Sequence, residues 1–203
     1  MGHLIANKPL QILAKDFTVL APAHGKENVL VMTDIFTKFT RAIPTKDQKA
    51  ETVANILFNE WFYVYGVPER LHSDQGRNFE SDVIRQLCKL YQIARSRTTP
   101  YHPEGNAQCE RSNRTLHNLL KSLPPDKKKN LTKYLPELVF SYNVSQNSTT
   151  GYSPYYLLFG HNPKLPVDFL LGTNQSDDSD VPLEEWIDAH QKRLRYAYDK
   201  AGE

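Results

Sequence analysis

The spacing of apolar residues near the start of the chain predicts three strands joined by short connections. An alternation that begins at Pro9 predicts a first strand with Asp16 on one face. Residues 29–33 are apolar on both faces, as is typical of a central strand, and residues 39–44 predict a third strand. Because only a hairpin loop at 22–28 separates the first two strands, the three predict an antiparallel meander.

Helical periodicity begins after the third strand. Apolar residues recur at helical spacing over residues 49–65 and predict an amphipathic helix, with Asp47 as its N-cap and Gly66 at its end. The predicted buried stripe of this helix is Ala50, Val53, Ala54, Leu57, Trp61 and Val64. The elements that follow are strands at 70–72 and 93–96 and helices at 80–91, 107–123, 131–146 and 154–159.

This order of elements predicts an α/β fold. Strands followed by strands alternating with helices give a mixed five-stranded sheet, an antiparallel meander of three strands plus two parallel strands, flanked by helices. The predicted organisation is a lead-in at 1–8, one domain at 9–172, an acidic linker at 173–182 and a C-terminal helix at 183–203. The candidate anchors of that last helix are Trp186, Ile187, Leu194 and Tyr198.

Charge and cysteine content narrow the function classes. Residues 173–203 hold eight acids and four bases, a net charge of −4, so residues 1–172 carry 21 bases against 15 acids, or +6. A basic domain suits a polyanionic partner. The two cysteines form no C-x-x-C pair, which disfavours a structural zinc site or a disulfide framework. We expect an intracellular protein, because the sequence has neither a signal-peptide pattern nor an apolar run of roughly 18–20 residues.

Three carboxylates from separate elements carry the candidate chemistry. Asp16 lies within the first strand, Asp74 follows the strand at 70–72, and Glu110 begins a helix, with 35 residues between Asp74 and Glu110. Hard divalent ions such as Mg²⁺ prefer oxygen ligands, and two ions about 3.5–4 Å apart can drive phosphodiester cleavage or transfer. Singly, Asp74 is typical of a turn and Glu110 of a helix start, so the hypothesis depends on all three together.

The residues around these carboxylates resemble a known family. The matching segments are Asp16-Phe17, residues 31–34, 44–47, 72–79, 99–103 and 110–116, Tyr142-Asn143, residues 151–154 and Phe159-Gly160. They closely resemble the catalytic core of integrases from gypsy-class LTR retrotransposons and retroviruses, over roughly residues 9–172. The resemblance implies an RNase H-like fold, two Mg²⁺ or Mn²⁺ ions per site, and 3′-end processing and strand transfer on DNA. It also implies a homodimer or higher multimer that works in the nucleus, with a cytoplasmic phase left open.

Carried over by position, the resemblance assigns roles to individual residues. The metal ligands would be Asp16, Asp74 and Glu110. The helix face that carries Glu110 would either grip the phosphates of the donor DNA end or be a solvated basic face, and its residues are Arg114, His117 and Lys121. The candidate substrate-lining residues, each of which could equally be a turn or capping residue, are Gln75, Asn78, Tyr101 and Gln108.

Some positions near the motifs differ from the family pattern or have other expected roles. The residues that depart from the family's usual choice are Lys15, Glu104 and Cys109. Lys15 places a charge on the opposite face of the strand from Asp16, and none of the three departures removes a predicted ligand. We expect His72 and His102 to be structural residues beside the site. Asp34 is expected to make hydrogen bonds within its turn.

Three functions stay open from the sequence. The first is an integrase catalytic core, as a fragment or stand-alone remnant of a retroelement polyprotein. The second is a domesticated descendant that binds DNA or proteins with little or no catalysis, and the third is a cellular RNase H-like nuclease, which fits the carboxylates but not the flanking motifs. Family members also carry an N-terminal zinc domain and a C-terminal DNA-binding barrel, and we expect neither within these 203 residues. We therefore expect the isolated core to be poor at full integration.

Overall fold

The computed structural model describes residues 4–23, 26–73, 81–97, 131–171 and 183–202, together with residues 118, 124 and 127. Apart from residue 118, the predicted helix at 107–123 lies outside this part of the chain, as does the predicted linker. Within the described residues, no helix combines the length and the apolar character that crossing a membrane requires.

A five-stranded sheet forms the centre of the described part of the chain. Strand β1 (Ile12–Ala23) pairs antiparallel with β2 (Lys26–Asp34), which pairs antiparallel with β3 (Thr40–Thr45). On its other side β1 pairs parallel with β4 (Arg70–Ser73), and β4 pairs parallel with β5 (Ala94–Arg97). The order β3-β2-β1-β4-β5 confirms the predicted mixed sheet and places β1 at its centre.

The hairpin between β1 and β2 is longer than predicted. Both strands extend into the segment 22–28, which was predicted as a loop. The pairing runs to Val19 and Asn28, shifts its register, and includes Ala23 opposite Lys26. Val19 is 61% exposed, so the hairpin extends beyond the core, where backbone hydrogen bonds continue but side-chain burial no longer marks a strand.

The helical segment after β3 contains a π-helical turn where the sequence predicted one uninterrupted α-helix. It consists of α1 (Ala50–Ile56), the π-helical turn (Leu57–Phe62) and α2 (Tyr63–Tyr65). A π-helical turn holds more residues than an α-helical turn, so the residues after it are rotated relative to the α-helical pattern. Val64 is accordingly 59% exposed while Phe62 is buried. The prediction that Val64 joins the buried stripe is wrong for this reason.

The start of this helical segment also differs from the prediction. The N-cap position belongs to Lys49, whose side chain makes no capping hydrogen bond. Asp47, predicted as the N-cap, lies two residues earlier. Its Oδ1 accepts hydrogen bonds from the Lys49 N–H at 3.0 Å and the Thr52 hydroxyl at 2.7 Å. The helix ends at Gly66 as predicted, because Gly66 adopts a φ of +96° that other residues rarely take.

Helices cover both faces of the sheet. On one face, α1, the π-helical turn and α3 (Asp82–Leu90) pack over the sheet. The buried residues of this cluster are Leu13, Leu30, Met32, Phe39, Val53, Leu57, Trp61, Phe62, Leu71, Ile84, Cys88 and Ile93. On the other face lies α4 (Leu131–Val144), and the buried residues there are Val29, Val31, Ala42, Leu135 and Val139.

The side chain of Asn143 links the end of α4 to the edge strand β3. Asn143 is 3% exposed. Its Oδ1 accepts a hydrogen bond from the Thr40 N–H at 2.9 Å, and its Nδ2 donates to the Thr40 carbonyl oxygen at 2.8 Å. The Asn143 amide thus pairs with the backbone of β3 as a neighbouring strand would.

Three helices follow α4 in the described residues. Helix α5 (Pro154–Phe159) begins at Ser153, whose hydroxyl accepts from the Tyr156 N–H, and ends at Gly160 with φ +78°, as predicted. Helix α6 (Pro166–Leu171) was not predicted. The C-terminal helix α7 (Leu183–Gly202) agrees with its prediction.

Helix α7 packs on the core through a set of residues that differs in part from the predicted anchors. The predicted anchors Trp186, Leu194 and Tyr198 are half-buried, but Ile187 is 38% exposed and the prediction for it is wrong. Ala197, which is 1% exposed, lies on the buried face instead. Helix α7 passes close to Gly160, at the end of α5. A Cβ added at Gly160 would lie only 2.8 Å from His190 Nε2 of α7.

Candidate active site

Asp16 lies on the central strand of the sheet. In β1 it shares a face with Ala14 and Thr18 and stands opposite Val31 of β2. The side chain is half-buried, and its Oδ1 accepts a hydrogen bond from the Phe17 N–H at 2.8 Å. Its position combines a fixed backbone with partial access to solvent, which suits a residue that binds a ligand.

The parallel pairing of β1 and β4 sets the end of β4 level with Asp16. Ala14 pairs with His72, and Lys15 pairs with Ser73, the last residue of β4. Asp74 is the next residue in the chain. Open α/β sheets bind their ligands at the carboxyl ends of parallel strands. The pairing places Asp16 next to the carboxyl end of β4, a position that favours ligand binding.

His72 contributes a hydrogen bond between β4 and β5. It is 3% exposed, and its Nδ1 shares a hydrogen bond of 3.0 Å with Ser96 Oγ. Burial lowers the pKa of His72, and the positive charges of Lys15 and Arg70 lower it further. Its burial and its hydrogen bond to Ser96 support the structural role expected from the sequence.

Lys15 lies on the opposite face of β1 from Asp16, as predicted. It is 3% exposed, and it lines a cleft of about 180 Å³ with Ser73, Arg95 and Arg97. The sequence pattern of β5 indicates part of the lining of this cleft. In Ala-Arg-Ser-Arg, residues 94–97, the period of two puts both arginines on one face of β5.

The other predicted site residues lie outside the described residues. They are Asp74, Glu110, Arg114, His117, Lys121, Gln75, Asn78, Tyr101, Gln108 and His102. Their convergence on Asp16 therefore stays a prediction. Among the residues that the structure describes, no group of three or more His, Cys, Asp and Glu side chains is placed to hold a metal ion.

Comparison with known proteins identifies the family of the segment that forms the sheet. The integrase core domain family matches residues 6–103. These residues belong to the integrase core family. The matched segment contains all five strands of the sheet together with Asp16 and Asp74, and it ends before Glu110.

A curated relative extends the likeness over most of the chain. The retrovirus-related Pol polyprotein from transposon 412 of Drosophila melanogaster is 28% identical over 178 residues, 88% of the chain. The chain spans only 12–14% of the length of the first relatives that it matches. It therefore corresponds to one segment of much longer polyproteins.

Solved structures confirm the RNase H-like fold of the integrase core. A chain of the simian T-cell lymphotropic virus intasome, in complex with PP2A regulatory subunit B56 gamma, matches with a TM-score of 0.64 at 21% identity. That match covers 81% of this chain and 59% of the other. The HTLV-2 integrase catalytic core domain in complex with magnesium matches with a TM-score of 0.57 at 20% identity, over 77% of this chain and 99% of the other.

The integrase core also contains a buried carboxylate that is distinct from the predicted ligands. Asp34 has no exposed surface. Its Oδ1 accepts from the Leu10 N–H at 2.9 Å, and its Oδ2 accepts from the Thr37 N–H at 2.9 Å and the Thr37 hydroxyl at 2.7 Å. The expected hydrogen bonds within the turn are confirmed, and the bond to Leu10 adds a longer-range link.

Proposed function

We propose that this chain is the catalytic core of a retroelement integrase that uses two divalent metal ions to process DNA 3′ ends and to transfer the strands into a target duplex. The observation that carries the proposal is the register of β1 and β4. Lys15 pairs with Ser73, the residue after Lys15 is Asp16, and the residue after Ser73 is Asp74. Extended by one residue, this register would set Asp74 beside Asp16 on the same face of the sheet.

The chemistry of Asp16 suits the proposed metal pair. Its carboxylate is a hard oxygen donor of the kind that Mg²⁺ and Mn²⁺ prefer, and the neighbouring side chains on its face, Ala14 and Thr18, are small. Asp74 and Glu110 would complete the ligand set. When bound, two such ions would activate the oxygen nucleophile and stabilise the departing 3′-oxygen during an in-line displacement.

The remaining residues of the proposed site would position DNA. The nucleophile would be water in 3′-end processing and a DNA 3′-hydroxyl in strand transfer. The basic side chains proposed to hold donor-end phosphates are Arg114, His117 and Lys121. The side chains proposed to line the substrate are Gln75, Asn78, Tyr101 and Gln108. All of these side chains can donate or accept hydrogen bonds, as contacts to phosphates and sugars require.

DNA and further copies of this chain are the proposed partners. A chain of similar fold comes from an intasome, and another comes from a trimeric form of an integrase core with magnesium. These likenesses support a multimer that acts on DNA with a divalent ion. Because the sequence resembles integrases, we also propose that the protein acts in the nucleus.

The decisive assay compares the wild-type chain with Glu110→Gln in the presence of Mn²⁺. The substrate is a branched duplex that mimics the strand-transfer product, because reversal of the reaction requires the same ligands but not full integration. We expect Glu110→Gln to lower the rate at least about 100-fold, since losing a ligand costs more than the roughly 10–100-fold typical of an outer-shell partner. The amide keeps the size of the side chain and removes its charge.

A matched control replaces an acid outside the proposed site. Asp188 is exposed on α7, and Asp188→Asn is expected to retain wild-type activity. Equal activity in the wild type and Glu110→Gln, or no activity in either, would overturn the enzymatic proposal. DNA binding without activity in the wild type would favour the domesticated, non-catalytic module.

A further inference from the structure

Three cations meet on the face of the sheet opposite Asp16. Lys15 pairs with Ser73 and Ser73 pairs with Arg97, so the three residues form one row across β1, β4 and β5. Arg95 lies two residues before Arg97 and therefore on the same face. All four residues line one cleft of about 180 Å³, which we call the Lys15 cleft.

The Lys15 cleft is positively charged. Its other lining residues are Leu71, Ile84 and Ser96, so the lining residues that the structure describes include three cations and no carboxylate. Burial raises the pKa of the neighbouring Cys88 thiol, whereas the positive charges of Arg95 and Lys15 oppose that rise. The field of these cations therefore extends to α3, which carries Cys88.

The burial of Lys15 places a cation in the interior wall of the cleft. Lysine is seldom as fully buried as the 3% exposure of Lys15, because an ammonium group loses its hydration and needs charged or polar partners. Lys15, Ser73, Arg95 and Arg97 already make polar or electrostatic contacts. An anion in the cleft would add to these contacts or compete with them.

The size and the donors of the cleft select the class of anion. A volume of about 180 Å³ is smaller than the roughly 300–1,000 Å³ of sites for drug-sized ligands, so the cleft fits one compact group. An ammonium, two guanidinium forks and the Ser73 hydroxyl match the several oxygens of a phosphate. Arg95 and Arg97 are exposed, which leaves the cleft open on their side.

We propose that the Lys15 cleft binds a phosphate group, held by Lys15, Ser73 and Arg97, with Arg95 at the entrance. The phosphate belongs either to a nucleic-acid backbone or to a free phosphate ion. The site lies behind the sheet as seen from Asp16 and requires no metal. This proposal can therefore be tested independently of the proposed integrase chemistry.

The test titrates inorganic phosphate into the ¹⁵N-labelled full chain and follows the amide signals of Ser73 and Arg97. We expect saturable shifts at both amides. Arg97→Gln, at an exposed position, and Lys15→Met, which keeps the apolar length of the side chain, are each expected to weaken binding about tenfold, as the loss of one charged hydrogen bond would. Arg195→Gln on α7 is the control and is expected to bind phosphate as the wild type does.

The absence of saturable shifts, or phosphate binding unchanged in both Arg97→Gln and Lys15→Met, would overturn the proposal. An equal loss in Arg195→Gln would overturn it as well, because binding would then reflect overall charge.

Adding a short DNA duplex at saturating phosphate identifies the source of the phosphate group that the cleft binds. Displacement of phosphate assigns the site to the nucleic-acid backbone, whereas simultaneous binding assigns it to the free ion, and either result supports the cleft as a phosphate site.

Discussion

Asp34 stabilises two strained parts of the backbone at once. Leu10 adopts a φ of +60° and Lys38 a φ of +67°, both in the left-handed region that disfavours residues with a Cβ. Asp34 Oδ1 accepts from the Leu10 N–H, and the Asp34 carbonyl oxygen accepts from the Lys38 N–H at 2.9 Å. The segment just before β1 and the β2–β3 turn are therefore held by the same residue.

Replacing this carboxylate should reveal its ionisation in the folded state. Asp34→Asn puts an NH₂ group against at least one N–H donor, and we expect it to lower the free energy of unfolding by about 1–3 kcal/mol. Burial raises the pKa of Asp34 above its ordinary 3.8, although its hydrogen bonds and Lys38 oppose the rise. Its contribution to stability is therefore fully present below pH 3.8 and is lost as the pH rises through the folded pKa. The cost of Asp34→Asn, measured by urea unfolding, should be larger near about pH 4 than near about pH 7.

Asp47→Asn is the matched comparison because its pKa shift has the opposite sign. The hydrogen bonds from the Thr52 hydroxyl and the Lys49 N–H lower the pKa of Asp47. Its contribution is present above the unfolded pKa and is lost as the pH falls through the folded pKa, so the cost of Asp47→Asn should grow with pH. A cost of Asp34→Asn that also grows with pH would contradict a raised pKa for Asp34.

At the level of elements, one residue of β3, Thr40, depends on α4 for its backbone hydrogen bonds. Thr40 is 2% exposed, so its backbone N–H and carbonyl groups cannot pair with water instead. Both are satisfied by the Asn143 side chain, which lies 103 residues away in the chain. The contact fixes the end of α4 against the edge of the sheet and thereby orients the helix that covers the Asp16 face.

Asn143→Leu should therefore cost more than an ordinary loss of packing. It leaves a buried donor and a buried acceptor unpaired, and we expect a fall of about 2–4 kcal/mol in the free energy of unfolding. Faster hydrogen exchange at the Thr40 amide should accompany the fall. Ser145→Ala, which removes an exposed hydroxyl bonded to the Ser141 carbonyl oxygen near the same helix end, should change stability by less than about 0.5 kcal/mol. Equal effects of the two substitutions would refute this role for Asn143.

The elements show which parts of the fold a sequence pattern can predict. The pattern of apolar residues identified β1 and its neighbours because helices cover both faces of the sheet. Gly66 and Gly160 marked helix ends because both adopt positive φ values. The π-helical turn was missed because Val53, Leu57 and Trp61 keep α-helical spacing and are buried in either case. Only Phe62 and Val64 distinguish the two conformations, and their burial depends on tertiary packing.

At the scale of the whole molecule, the candidate site depends on how separate elements converge. The carboxylates were predicted from their types and spacing, and the described register of β1 and β4 ends at Lys15 and Ser73, one residue before Asp16 and Asp74. Periodicity within an element carries no information on contacts between residues as distant as Asp16 and Glu110. For the Lys15 cleft, the period of two places both arginines of β5 on one face, but their position next to Lys15 follows only from the pairing of three strands.

The most direct test of the proposed metal site is a crystal structure of this chain soaked in Mn²⁺, with anomalous scattering used to locate the ion. We predict an anomalous peak within the usual coordination range of about 2.0–2.6 Å from carboxylate oxygens of both Asp16 and Asp74, with Glu110 facing it. Soaked crystals of Asp16→Asn should lose the peak. Carboxylates of Asp16, Asp74 and Glu110 that lie far apart, or a peak that persists without Asp16, would contradict the account.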